Sequence, residues 1–130
     1  MPVSITPIYA ALAGLIYFVL SVNTALMRRR QRIPIGDGGN ATMLRAARVH
    51  ANFAEYAPLT LLLLLMMELQ GVSASLIHAG ATCLLAGRVL HAFGVRNVNE
   101  DFRFRVAGMS LTFTSLIGAC CAIIGTAVLA

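Results

Sequence analysis

Charge is scarce in this sequence, and long stretches of it carry none. Charged residues make up 12% of the 130 residues, hydrophobic residues make up 58%, and the mean hydropathy is +0.81. The uncharged or nearly uncharged runs are Ile5–Met27, Ala57–Met67 (which extends back through Phe53), Val72–Gly87 and Val106–Ala130. A helix needs roughly 20 apolar residues to cross the hydrocarbon of a bilayer. We therefore predict an all-α integral membrane protein with four transmembrane helices.

The sequence also lacks any linker, internal repeat or low-complexity tract, so we expect the four helices to pack as one bundle and one domain, residues 1–130. No basic residue precedes the first apolar run, which argues against a cleaved signal peptide and favours a helix that stays in place. The three cysteines have no C-x-x-C spacing, and no histidine lies at zinc spacing from them. We predict no metal site and assign the cysteines to packing.

Lysine is absent, and all ten basic residues are arginines. They follow helix one, precede the apolar part of helix two, and surround the link between helices three and four, whereas the link between helices two and three has none. By the positive-inside rule, both basic links are cytoplasmic and both termini lie on the other side, as in a bacterial inner membrane protein. The arginines therefore serve as topology signals and headgroup contacts, and we expect no nucleic-acid partner.

The stretch "RVHANFAEYAP" places costly polar groups beside an apolar run. At about 100° per residue, Arg48, Asn52 and Glu55 share one face of a helix, Tyr56 flanks that face, and His50 points elsewhere. Ionised side chains within a membrane helix face the bundle interior and require partners. These residues therefore form a polar column near one end of helix two.

Two interpretations of the polar column remain open from the residues alone. Glu55 could pair with Arg88 or Arg105 on neighbouring helices, which would make the column structural. Alternatively, Arg48 suits a carboxylate, Glu55 an ammonium group, and Asn52 both donates and accepts hydrogen bonds, which fits a small anionic peptide. A proline three residues after Glu55 removes a helix hydrogen bond and suggests a pocket beside the column.

The pattern RxxxNxxEYxP, formed by Arg48, Asn52, Glu55, Tyr56 and Pro58, resembles the signature of the MAPEG family of membrane-associated proteins in eicosanoid and glutathione metabolism. The length, the four predicted helices and the two basic links resemble that family as well. The resemblance implies a homotrimer that holds glutathione in clefts between neighbouring subunits at the cytoplasmic side.

The same resemblance implies roles for individual residues. Glutathione would be bound by Arg28, Arg48, His50, Asn52, Glu55, Tyr56, Arg88 and His91. Arg48 would meet a carboxylate of glutathione, and Glu55 its γ-glutamyl amine. Arg105 would stabilise the thiolate and is the predicted catalytic residue, with Arg103 as the alternative two residues away.

One absence separates this chain from the family pattern. Well-studied members carry tyrosines toward the end of helix three, whereas this sequence has no tyrosine after Tyr56. His91 and Phe93 occupy that region instead. His91 is expected either to donate a hydrogen bond to the peptide or to contact lipid headgroups.

The resemblance implies a membrane-bound glutathione transferase, in which the thiolate of glutathione attacks a hydrophobic electrophile, or a peroxidase that uses the same thiolate on a lipid hydroperoxide. The expected partners are glutathione, the apolar substrate, membrane lipids and two further copies of the chain. A non-catalytic glutathione- or lipid-binding protein of the same family is the alternative. A small transporter is a third possibility, which is disfavoured because helix one has no acidic residue.

Overall fold

The computed structural model describes residues 3–129, and these residues form four helices connected by short loops. The helices are α1 (Thr6–Gln31), α2 (Ala41–Leu69), α3 (Ala74–Val95) and α4 (Phe102–Leu129). Each is long and apolar enough to cross a membrane. The predicted all-α, four-helix membrane fold is confirmed. Met1, Pro2 and Ala130, the ends of the predicted domain, lie outside the described residues.

All four helices extend beyond the uncharged runs that predicted them, and α3 and α4 illustrate this. α3 continues past Gly87 to Val95, and α4 begins at Phe102 rather than Val106. Both extensions carry arginines into the helices. An arginine within a membrane helix is tolerated where the bundle satisfies its donors or where its long side chain reaches the interface. The length of the uncharged run alone therefore predicts a helix that is too short in both cases.

The start of α1 is held by the far end of α2. The Glu68 carboxylate accepts hydrogen bonds from the backbone N–H groups of Ser4, Ile5 and Thr6, each at 2.7 Å. These donors have no partner within α1, whose N-cap residue makes no side-chain cap bond. At the other end of α2, the Asn40 side chain accepts from the Met43 N–H at 2.9 Å and caps the helix.

The α2 helix packs against each of the other three helices, as α3 does. The largest buried cluster joins α2, α3 and α4 around Leu64, Met67, Ile77, Leu84 and Ala119. A smaller cluster joins α1 to α2. This arrangement leaves α2 with one face toward α1 and another toward α3 and α4, and the second face bears on the candidate site.

The closest helix contact is the crossing of α3 and α4, where two glycines meet. A Cβ atom added to Gly108 would lie 2.5 Å from the backbone nitrogen of His91, and one added to Gly87 would lie 2.7 Å from the Gly108 carbonyl oxygen. Real Cβ atoms do not approach backbone atoms so closely. Glycine at both positions is therefore required for the two backbones to touch, as small residues permit in membrane bundles.

We expect Gly108→Ala to destabilise the protein by about 1–3 kcal/mol, the usual cost of overpacking a close contact. Gly118→Ala is the matched control on the same helix, because a Cβ there meets no atom within 4 Å. It should be neutral or stabilising, since alanine favours helix by about 1 kcal/mol over glycine. Thermal unfolding in detergent measures both. Equal loss of stability in the two variants would show that the close crossing is not the cause.

Candidate functional site

The polar column lies at the end of the bundle that carries both arginine-rich links. Arg45, at the start of α2, donates a hydrogen bond to the backbone carbonyl of Val95 at the end of α3, at 3.1 Å. It also forms a salt bridge with Glu100 in the loop before α4, at 3.2 Å. These contacts tie the start of α2 to the link between α3 and α4. We call this end of the bundle the arginine-rich end.

Arg48 and Glu55 form the exposed part of the column. They pair with each other along α2, with Arg48 Nη1 3.6 Å from Glu55 Oε1. Their side chains are 56% and 50% exposed. The predicted structural pairing of Glu55 with an arginine of another helix does not form. Both side chains of the pair are therefore accessible at the surface of the chain.

Asn52 belongs to the same column but turns inward to a buried arginine. Arg88, on α3, is 1% exposed, and its Nη1 donates to Asn52 Oδ1 at 2.5 Å. The hydroxyl of Thr112 on α4 accepts from Arg88 Nε at 3.0 Å and from Nη2 at 2.7 Å. Nη2 also lies 3.2 Å from the sulfur of Met109, and the guanidinium lies 5.6 Å from the centre of the Tyr56 ring. Arg88 thus joins α2, α3 and α4.

No carboxylate within residues 3–129 forms a salt bridge with Arg88. A buried cation is normally paired with an anion, because burial without one is costly. Here the guanidinium is held by an amide, a hydroxyl and an aromatic face, all of them uncharged. No carboxylate of the described residues therefore compensates the positive charge of Arg88, which lies directly behind Asn52 and Tyr56.

Arg105 lies at the arginine-rich end and shares a carboxylate with Arg45. Glu100 Oε1 is 3.2 Å from a guanidinium nitrogen of each arginine, and the Glu100 side chain is 4% exposed. Arg105 itself is 48% exposed, so about half of its side-chain surface is accessible from outside the chain. Arg103, the alternative, is also exposed, and its backbone N–H is capped by Asp101. Glu100 therefore fixes the position of Arg105 relative to the start of α2.

His50 and Arg28 lie away from the column. The His50 ring stacks on Tyr17 with centroids 4.8 Å apart, and its Nε2 lies 3.0 Å from Ser21 Oγ, so it faces α1. Arg28 Nη1 donates to the Gly36 carbonyl at 2.7 Å and holds the first loop against α1. Neither side chain has a hydrogen bond or salt bridge with the column within the described chain.

His91 is 5% exposed, at the point where α3 crosses α4. Its burial leaves little surface either for contact with lipid headgroups or for a hydrogen bond to an outside peptide. The pocket expected beside Pro58 is a groove of about 300 Å³ between α1 and α2. Its lining is apolar apart from Tyr17. Ala54, whose carbonyl Pro58 leaves without a partner, faces this groove and not the column.

Sequence reasoning missed Glu100 and Thr112, which organise the two arginines. Glu100 carried one signal, because it and Asp101 are acidic residues of a link flanked by arginines. Thr112 is one of several hydroxyl residues in an apolar run and carried none. Its partner is 24 residues away in sequence, so only the packing of α3 on α4 reveals it.

The sequence of this chain matches a known protein family. The profile of the MAPEG family matches residues 6–125, which include the column, Arg88, Glu100 and Arg105. The chain belongs to the MAPEG family.

Its MAPEG relatives include the inner membrane protein YecN from two strains of Escherichia coli. Each is 34% identical over 113 residues, which cover 87% of this chain and 85% of the relative. Together with the four apolar helices, this similarity supports an integral inner membrane protein. No solved structure matches.

The Arg88 network should contribute measurably to the stability of this MAPEG protein. We expect a double-mutant cycle on Arg88→Met and Asn52→Leu to give a coupling of about 1.5–3 kcal/mol, the range for hydrogen bonds to charged groups. The exposed pair, tested with Arg48→Met and Glu55→Leu, should couple by less than about 1 kcal/mol. Unfolding in mixed detergent measures both cycles. Similar coupling in the two pairs would mean that burial of Arg88 adds nothing.

Proposed function

We propose that this protein is a membrane-bound glutathione transferase, which binds glutathione at the arginine-rich end and transfers its thiolate to hydrophobic electrophiles. The observation that carries the proposal is the exposed Arg48–Glu55 pair, backed by the uncompensated charge of Arg88. Membership of the MAPEG family, which includes glutathione transferases, gives the proposal its substrate.

The Arg48–Glu55 pair suits the charges of glutathione. This tripeptide carries two carboxylates, one ammonium group and a thiol, and is therefore a net anion. A carboxylate can replace Glu55 beside Arg48, while the ammonium group can replace Arg48 beside Glu55. Because both side chains are about half exposed, an incoming ligand reaches them without a change in the packing of the bundle. The cost of breaking such an exposed pair is at most about 1 kcal/mol.

The buried Arg88 adds an electrostatic reason for binding an anion. Among the described residues, Arg45, Arg48, Arg88 and Arg105 have between them salt bridges with only two carboxylates, those of Glu55 and Glu100, so positive charge is in excess around the column. At a partly buried site this charge acts at lower effective dielectric than in water. Asn52, whose oxygen is engaged by Arg88, keeps its two amide donors for a ligand. Arg88 then acts through Asn52 and Tyr56 as a positioning residue.

We place the complete glutathione site between neighbouring subunits of a homotrimer, with the arginine-rich end in the cytoplasm. His50 and Arg28 face away from the column of their own subunit, which is the arrangement expected if they contribute to the site of a neighbour. The arginine bias of the two links supports the cytoplasmic orientation. His91 would reach the peptide only through movement at the crossing of α3 and α4.

In the proposed reaction, the thiol of glutathione loses its proton to water and the thiolate attacks an electrophilic carbon. A sulfur–carbon bond forms and the leaving group departs with its electron pair. The thiolate is the nucleophile, and a neighbouring cation favours it over the thiol. Arg105 is suited to this task because its guanidinium is held by Glu100 on one side and is exposed on the other. The electrophile would enter from the bilayer.

Glutathione binding tests the role of the column. Calorimetry in detergent should show that Glu55→Gln weakens binding by about tenfold or more, because a hydrogen bond between charged groups is lost. Asp37→Asn is the matched control, since it removes an acidic charge from the same end and keeps an oxygen for the Gly39 N–H. Unchanged affinity in Glu55→Gln would contradict the assignment. Absence of binding to the wild type would reject the proposed function itself.

The role of Arg105 is tested separately with a generic aromatic electrophile. Loss of a cation next to a thiol raises the thiol pKa by one unit or more, so Arg105→Ala should reduce both the thiolate absorbance and the conjugation rate about tenfold. Arg103→Ala, two residues away, should leave both unchanged. The reverse pattern would transfer the role to Arg103. Normal conjugation rates in both variants would show that neither arginine stabilises the thiolate and would contradict the mechanism.

The same measurements distinguish the alternatives. Glutathione binding without conjugation of any electrophile would favour a non-catalytic member of the family, for which the missing tyrosines after Tyr56 are the supporting observation. Reduction of a lipid hydroperoxide by the bound thiolate would favour the peroxidase. In each case the column would still bind glutathione.

A further inference from the structure

A second groove, unrelated to the column, opens between α1 and α3 with α2 as its floor. Its volume is about 570 Å³, within the range of pockets that hold small organic ligands. Most of its wall is apolar, from Ile16, Val19 and Leu20 on α1 to Val89 and Ala92 on α3. No column residue, nor Arg88 or Arg105, lines it. Its walls include Val19 and Val89, which are 64% and 52% exposed, so the groove is open to the bilayer.

The groove is polar at one end only. Asn23, Thr42, Arg96 and Asn97 line it there, together with otherwise apolar residues. Thr42 lies in the first turn of α2 and Arg96 directly follows α3, so this polar end coincides with the arginine-rich end of the bundle. The groove therefore has the shape of an amphiphile, with a long apolar part and a short polar part at the membrane surface.

Arg96 at this end is held in place but has no anion. Its guanidinium lies 4.7 Å from the centre of the Phe93 ring, which orients it over the groove. Within residues 3–129, its side chain takes part in none of the salt bridges or hydrogen bonds. Other arginines of this end, among them Arg30 and Arg103, also have no side-chain partner among the described residues, but Arg96 is the arginine that lines the groove. An exposed arginine fixed by an aromatic ring presents its donors to a phosphate or a carboxylate.

Asn23 supplies the second observation. It lies in the transmembrane helix α1, about 12 Å from the end of that helix at 1.5 Å per residue. Its side chain is exposed, and it makes no hydrogen bond with another described residue. An unpartnered amide at this depth is costly in hydrocarbon. A ligand whose ester or hydroxyl oxygens lie deeper in the membrane than its phosphate would provide hydrogen-bond partners for the Asn23 amide.

We propose that this groove binds an anionic phospholipid, with one acyl chain along the apolar wall, the phosphate on Arg96, and the glycerol ester region near Asn23. Anionic lipids are concentrated in the cytoplasmic leaflet, and basic pockets between transmembrane helices bind their headgroups. The vertical order of the lining residues, apolar then amide then cation, matches the order of groups along such a lipid. This site is independent of glutathione and stands whether or not the protein is a transferase.

Native mass spectrometry of the purified full chain tests this lipid site. The probes are phosphatidylglycerol and phosphatidylcholine with identical acyl chains, and oleate as a carboxylate amphiphile. The wild type should retain phosphatidylglycerol about fivefold more than phosphatidylcholine, which is roughly what one basic residue contributes at an anionic surface. Arg96→Gln should abolish that preference. Arg30→Gln, which removes an exposed arginine outside the groove, should preserve it.

Blocking variants test the apolar part. Ala92→Leu should reduce retention of both phospholipids, and Val89→Phe provides a second block if the first variant does not fold. Three outcomes would overturn the proposal. Equal effects of Arg96→Gln and Arg30→Gln would indicate diffuse attraction. Unchanged retention in folded blocking variants would place the lipid elsewhere. Retention of oleate equal to that of phosphatidylglycerol would identify a carboxylate amphiphile as the ligand.

Discussion

A buried guanidinium in the middle of the bundle constrains the rest of this structure. Arg88 lies on α3 and has no carboxylate partner among residues 3–129, so its donors must be satisfied by neutral groups from other helices. Asn52 supplies an amide from α2 and Thr112 a hydroxyl from α4. The cost of leaving such a charge unsatisfied in a bilayer is several kcal/mol. Any rotation of α2 or α4 that broke these bonds would incur that cost.

The fixed rotation of α2 determines what the protein presents outward. With Asn52 turned to Arg88, the neighbouring positions Arg48 and Glu55 fall at the edge of the bundle, where they pair and stay half exposed. The same α2 helix turns His50 toward α1. The internal network and the exposed ion pair are therefore two sides of one arrangement. One stabilises the bundle, and the other is free to exchange its partners.

Glu100 plays the corresponding part at the membrane surface. Its buried carboxylate bridges Arg45 on α2 and Arg105 on α4, so the loop before α4 is anchored to the start of α2. A single carboxylate between two guanidinium groups leaves positive charge in excess. Arg96, a few residues earlier, has no such carboxylate, and it faces the separate groove between α1 and α3. The arginines of this end thus divide into those with a side-chain partner among residues 3–129 and those without one.

The sequence by itself determined the number of helices, their connection and the face shared by Arg48, Asn52 and Glu55, because hydrophobic length and helical period are local properties. The family signature is local as well. Only the tertiary structure decided that Asn52 turns inward to Arg88 while Glu55 stays with Arg48. It also revealed Thr112 as a partner of that arginine. These pairings depend on which residues of different helices come into contact. The glycines at the crossing of α3 and α4 set the distance between those two helices, and helical periodicity cannot predict that distance.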